Sequence, residues 1–304
     1  MIKEKILKKL IGYDIKKISI NSDAVKLQIQ LGEHDNAEIE EKKIRNLLED
    51  MNVYITFFKK DQTKQPFKKV IGISSGKGGV GKSTIALNIA FALKEKGYKV
   101  GILDADIYAP SMPVLLNVSE HPTSLDGRLI EPIKTPHGFQ LLSMGLFLQE
   151  NQSALWRGPM LASAFTQFLE QSNWDCEYLV IDLPPGTSDI HMACSKIASF
   201  SEFFLISTPS KLAYTDAYRM YAVLRALNLK VVGLIENLAY TKCRNCSHEE
   251  HFESKAQIKE IEKIIKLPMF HHFHKFDEDG YPSDYKQQEE ASYFQEIIAR
   301  ILNE

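Results

Sequence analysis

The chain has 304 residues, 44% hydrophobic and 25% charged, with a formal net charge of -2. That length suffices for one large α/β domain and a small appendage, and the near-neutral balance excludes a global field built for nucleic acid or an anionic membrane. No stretch reaches the roughly 18 apolar residues of a membrane span, and the N-terminus lacks the apolar core and cleavage site of a secretory signal, so a cytoplasmic protein without nucleic-acid or membrane partners is expected.

Residues 1–58 read as a small α+β domain. An apolar-periodic helix covers 2–11, KISINSDAVKLQIQL suggests a hairpin, a second helix lies near 37–50, and NVYITFF is a strand. The polar, proline-containing stretch KKDQTKQPFKK reads as a linker, placed at 59–68. From residue 69 to 304 the pattern alternates. VIGISS, KVGILDAD, FQLLSMG, YLVIDLP, EFFLIST and KVVGLIEN are strands. IALNIAFALKEKG is a helix closing on Gly97, and further helices lie near 159–172, 189–199 and 212–228. Strands alternating with helices predict an α/β fold with a mostly parallel P-loop NTPase sheet covered on both faces. The C-terminal YFQEIIARILNE is amphipathic, carries one basic residue, Arg300, and reads as a docking helix.

Ligands of such sheets bind at the C-terminal ends of the strands, and the polar motifs fall there. Gly76-Lys77-Gly78-Gly79-Val80-Gly81-Lys82-Ser83, followed by Thr84, fits G-x-x-x-x-G-K-[ST] between a strand and a helix. Glycines let backbone N–H groups wrap phosphates, the helix N-terminus adds its dipole, Lys82 reaches the β- and γ-phosphates, and the Ser83 hydroxyl can bind Mg²⁺. Lys77 is a second lysine that the cradle does not need. It can neutralise charge developing during transfer, or it is a solvent lysine.

Asp104, Asp106 and Asp182 each end or follow an apolar run. Asp182 fits the carboxylate that holds the Mg²⁺ shell, Asp106 is placed to orient the attacking water, and Asp104 orients the loop or supports the metal's shell. Gly186 can follow a γ-phosphate with its backbone N–H. Asn237, in ENLAY, offers an amide to a base edge, and the absence of N-K-x-D there favours ATP; the alternative is a turn asparagine.

SSGKGGVGKST, VGILDADIYAPSMP, LWRGPM, WDCEYLVIDLPPGTSD, TPSKLAYTDAYR, VVGLIENLAY and CRNC together resemble the Mrp-type ATPases of the deviant Walker A superfamily. The resemblance covers residues 69 to about 252, in the family's order. It implies a homodimer that binds ATP, whose early lysine, here Lys77, reaches the partner subunit's nucleotide. It also implies an iron–sulfur cluster for delivery to apoproteins, with assembly scaffold proteins as further partners. There are departures. Ala109 stands where the family usually has glycine, residues 1–58 contain no cysteine, and the region after CRNC diverges.

The four cysteines are Cys176, Cys194, Cys243 and Cys246. The first two are isolated and read as packing. Cys243-Arg-Asn-Cys246 is a half-site. A [4Fe–4S] cluster needs four thiolates, and a two-fold dimer would supply two such pairs. His248 and His251 leave open an intrachain zinc site of two cysteines and two histidines, and a redox pair is a third possibility. His271, His272 and His274 find no place in the family pattern and read as exposed. Two other function classes compete. A positioning or partitioning ATPase predicts a basic surface or a membrane helix at the C-terminus. A reductase predicts two well-separated cluster cysteines per chain.

Overall fold

The computed structural model describes residues 6–7, 9–10, 13–20, 25–31, 37–48, 51, 53–59, 67–124, 129–147, 158–186, 189–195, 200–243, 245–252, 258, 260–261, 263–270 and 289–302. Several expectations lie wholly or partly outside these residues. They are most of the helix over 2–11, most of the linker, Trp156 and Arg157 of LWRGPM, residues 196–199, and His271, His272 and His274. The chain divides into two compact units, Met1–Gln65 and Pro66–Glu304.

In the first unit, β1 (Asp14–Ile20) and β2 (Val25–Leu31) form the expected antiparallel hairpin. Helix α1 (Ala37–Leu47) then crosses over to β3 (Val53–Lys59), which pairs parallel with β2, the connection that parallel strands require. Val25, Leu27 and Ile29 alternate onto one face of the sheet and are buried with Ile44, Leu48 and Val53.

The second unit begins with β4 (Lys69–Ser75), α2 (Lys82–Glu95), β5 (Val100–Asp104) and the short α3 (Met112–Leu115). Next come β6 (Thr123–Ser124), β7 (Ile130–Glu131), β8 (Ile133–Lys134), β9 (Gln140–Ser143), α4 (Gly158–Glu170) and β10 (Tyr178–Asp182). Then follow α5 (Asp189–Cys194), β11 (Phe200–Ser207), α6 (Lys211–Ala226), β12 (Val231–Glu236), β13 (Tyr240–Lys242), β14 (Glu249–His251), β15 (Ile264–Lys266) and α7 (Glu289–Leu302). The main sheet runs β15-β12-β11-β4-β10-β5-β9-β8. Every pairing in it is parallel except the edge pair β8–β9.

Both faces of the sheet are apolar because both are covered. Ile71, Ile73, Ile102 and Val180 face α2 and α7, while Val70, Leu103, Leu179 and Ile181 face α4, α5 and α6. Helix α2 stops where the sequence places Gly97. That residue has φ +90°, and the Gly97 and Tyr98 N–H groups bond the Lys94 and Leu93 carbonyls, a Schellman stop that glycine adopts without strain. The C-terminal helix does dock. Phe294, Ile297, Ile298 and Ile301 of α7 are buried against α2.

Candidate functional site: a phosphate loop and a thiol hairpin

The loop joining β4 to α2 leaves the C-terminal edge of the sheet. Gly79 and Gly81 adopt φ of +78° and +86°, values that glycine takes freely. Gly76 is required for space instead. A Cβ there would lie 2.1 Å from the Asp216 carbonyl, so the loop rests on the backbone of α6. Gly76→Ala is therefore expected to push the loop off α6 at a cost of about 1–3 kcal/mol. Calorimetric titration with ADP would show this as weakened binding.

The Lys82 ammonium is 7% exposed, bonds Asp182 Oδ1, and lies 3.4 Å from Ser83 Oγ. Asp182 closes β10 opposite Asp104, which closes β5. Both carboxylates are fully buried. Burial raises the pKa of each above the usual carboxylate range. The Asp182 charge adds to the rise at Asp104, and Lys82 and the Ser83 hydroxyl oppose it at Asp182. Asp182 Oδ2 is buried and accepts no hydrogen bond among the described residues. An orphaned carboxylate oxygen beside a serine hydroxyl suits the water shell of Mg²⁺.

Asp104 organises the loop that follows it. Its Oδ1 accepts from Asp106 N at 3.1 Å, and its Oδ2 accepts from Met112 N at 3.1 Å and Ser143 Oγ at 3.2 Å. Asp106 Oδ1 in turn accepts from Tyr108 N at 3.3 Å and Ala109 N at 3.2 Å. Ala109 has no positive φ, so the loss of the family's glycine carries no backbone penalty here. Lys77, Gly78 and Gly79 are exposed, and among the described residues the Lys77 ammonium has no partner.

Gly186 has φ +72°, and its N–H bonds the Ser75 carbonyl at 2.9 Å. Asn237 is buried, and its Nδ2 donates to the Val80 carbonyl of the loop at 2.9 Å. That acceptor fixes the amide's orientation and leaves Oδ1 buried, without a hydrogen-bond partner among the described residues. That Asn237 braces the loop is not legible from spacing, because the contact spans 157 positions.

The cysteine pair follows Asn237 closely. Strands β13 and β14 pair antiparallel, Tyr240 opposite His251 and Lys242 opposite Glu249. The Cys243 N–H bonds the His248 carbonyl at 2.9 Å, and Ser247 N–H bonds the Cys243 carbonyl at 2.8 Å. Both thiols are exposed at the hairpin tip. The pKa of Cys243 is lowered by hydrogen bonds from the Cys246 and Asn245 backbone N–H groups, with a smaller contribution from the Cys246 thiol. Such N–H donors stabilise a thiolate. His251 stacks on Tyr240 at 4.7 Å between ring centroids and lies 3.3 Å from Glu249. Among the described residues no group of three or more His, Cys, Asp or Glu side chains is gathered to hold a metal ion. Cys176 and Cys194 are core residues. Burial pushes the Cys176 thiol up to about 12 and Cys194 higher still.

A glycine loop opening α2 at the edge of a parallel sheet, with Lys82 set against the Asp at the end of β10, defines a P-loop NTPase. The family described as ParA, NUBPL iron-transfer P-loop NTPase, matches residues 66–302. An iron-sulfur cluster carrier protein from Haemophilus influenzae is 40% identical over 210 residues, covering 66% of this chain and 56% of that protein. This chain thus spans little more than half of that relative. One of the same name from Rickettsia felis is 36% identical over 271 residues, 84% of each chain. Among solved structures, a nucleotide-binding protein from Archaeoglobus fulgidus in complex with ADP is similar, with a TM-score of 0.63 and 30% identity, covering 76% of this chain and 92% of that one. The chain belongs to the NUBPL-type iron-transfer P-loop NTPase family. No described helix is long and apolar enough to cross a membrane.

Proposed function

We propose that this protein is an ATP-hydrolysing carrier that holds a [4Fe–4S] cluster between two subunits and delivers it to apo iron–sulfur proteins, receiving it from assembly scaffold proteins. The observation that carries the reading is the route from nucleotide to thiol. Asn237 grips the phosphate loop at Val80, and the hairpin presenting Cys243 and Cys246 begins three residues later. The names of the relatives support the same cargo.

In this reading Lys82 exchanges Asp182 for the β- and γ-phosphates of ATP. Ser83 and Asp182 would hold the shell of a bound Mg²⁺, which would supply positive charge against the phosphate oxygens. Asp106 orients the attacking water, and Asp104 keeps the loop of Asp106 in place. Gly186 follows the γ-phosphate with its N–H. The Asn237 Oδ1, fixed as an acceptor, suits the exocyclic amine of adenine. Turnover is slow, because hydrolysis serves a switch.

Lys77 is assigned to the neighbouring subunit's nucleotide. Lys77→Ala is expected to keep ATP affinity within about twofold and to lose hydrolysis by on the order of a thousandfold, the scale of an arginine finger. Mixing Lys77→Ala with Asp106→Ala protein should restore part of the activity, since each heterodimer holds one site with both residues intact. Demonstrated heterodimers without recovered turnover would rule out action across the interface.

The overall reading is tested by anaerobic transfer from the loaded protein to an apo iron–sulfur acceptor, followed by the acceptor's absorbance, with and without Mg-ATP. Transfer that requires Cys243 and Cys246 and responds to ATP is the expected result.

A further inference from the structure

His191 has no part in the chemistry above, yet it is buried without exposure under the phosphate loop. Its Nε2 lies 3.1 Å from Ser74 Oγ, and Ser74 is equally buried. Ser74 and Ser75 are the last residues of β4 before the loop. The segment after β10 is fastened to this same strand end. The Leu183 N–H bonds the Ile73 carbonyl at 3.0 Å, and the Gly186 N–H bonds the Ser75 carbonyl at 2.9 Å. Leu183 holds one end of the segment by a backbone bond. His191 holds the other end by a side chain, across 117 positions of sequence.

Between these anchors stand Pro184, Pro185 and Gly186. Gly186 has a positive φ, and nothing lies within 4 Å of where its Cβ would be. Gly186 thus has room on its Cβ side, and its sequence position lies between the two buried fixed points Leu183 and His191. Its partner, the Ser75 carbonyl, is one residue from the loop. Leu183 and His191 are both fastened to the end of β4, so Gly186 can exchange the Ser75 carbonyl for a phosphate oxygen while those two anchors keep their places.

We propose that His191 is a positioning residue for nucleotide hydrolysis. Through Ser74 it anchors the C-terminal end of the 183–191 segment, so that Gly186 is delivered to the γ-phosphate in one geometry. The inference rests on the proposed ATPase reading and adds to it a residue that touches no nucleotide. The imidazole is neutral at working pH, because burial, helped by the nearby Lys82 charge, lowers its pKa to about 4. A neutral ring can meet a hydroxyl as donor or as acceptor.

The test compares wild type, His191→Ala, His191→Gln, Ser74→Ala and the double variant His191→Ala/Ser74→Ala. Each is assayed for melting temperature, ADP affinity, affinity for a non-hydrolysable ATP analogue, and kcat. ADP lacks the group that Gly186 follows, so its affinity should stay within about twofold in His191→Ala, while kcat falls on the order of tenfold to a hundredfold. The ratio of ADP to analogue dissociation constants should drop toward one. His191→Gln, whose amide also donates and accepts, should recover most of both. The double variant should be no worse than the poorer single one, as expected for residues acting as a unit. Wild-type kcat in His191→Ala would overturn the proposal. So would loss of ADP binding in parallel with kcat, or a folded His191→Gln as impaired as His191→Ala. Absence of hydrolysis in the wild type itself would instead reject the ATPase reading.

Discussion

Alanine in place of Lys82 is expected to abolish nucleotide binding and, separately, to destabilise the fold. The binding effect follows from the phosphates, which lose the one cation of the loop that is buried and aligned with them. The stability effect follows from Asp182. That carboxylate is fully buried, Lys82 is its cation, and its other oxygen has no hydrogen-bond partner among the described residues. Removing one member of a buried pair costs about 3–5 kcal/mol when the other stays charged. Asp182 can escape part of that cost by taking a proton. Its pKa is already raised by burial, and loss of Lys82 removes the largest opposing influence. A carboxyl whose folded pKa lies above its unfolded value gives its full stability below the unfolded value and loses it as pH rises through the folded one. The Lys82→Ala deficit should therefore be smallest in acid and grow across that raised window. Adding Asp182→Asn separates the two effects. The Lys82→Ala/Asp182→Asn protein should melt closer to wild type and still bind no ATP in calorimetry. A folded Lys82→Ala protein with unchanged ATP affinity would remove the nucleotide site from residues 76–83.

What was legible in the sequence was what local chemistry determines. The glycine loop announces itself because strand, loop and helix are contiguous. The six long strands of the main sheet stand out because burial on both faces makes each a continuous apolar run. The Gly97 stop is written in three adjacent residues. Strands β8 and β15 were not legible, at two and three residues each, since a run that short has no period and exists only by pairing with a neighbour. The β13–β14 hairpin was hidden for the same reason, and its polar, histidine-containing second strand suggested ligands instead of a ladder. The acidic residues were found by their place at strand ends, but their division of labour was not. Asp104 is committed to three donors on a loop that the sequence does not show folding back. Asn237 and His191 act through partners 157 and 117 positions away. Contacts of that kind leave no trace in spacing, and only an assembled sheet brings them together.

The cluster assignment makes the other large prediction, that iron content vanishes when either hairpin thiol is removed. Two features of the hairpin bear on it. The tip directs two backbone N–H groups at Cys243, which lower its pKa, so its thiolate forms more readily than that of an ordinary cysteine. It also supplies just two thiols per chain, with no third ligand gathered beside them among the described residues. Two ligands hold neither zinc nor a cluster well, whereas two hairpins facing each other across a two-fold axis supply four. Symmetry then sharpens the mutational expectation. Each single substitution removes two of the four ligands, so Cys243→Ala and Cys246→Ala should both fail to load, rather than load half as well. Anaerobic reconstitution with iron, sulfide and oligomer mass measured together should give about four irons per dimer in wild type and none above background in either variant. The dimer should also lose its cluster faster or slower when Mg-ATP is present, since a group shared across an interface feels whatever moves that interface. Stoichiometric zinc without sulfide, held by a monomer and lost in His248→Ala, would show that the hairpin closes on its own histidines and would end the bridging-cluster reading.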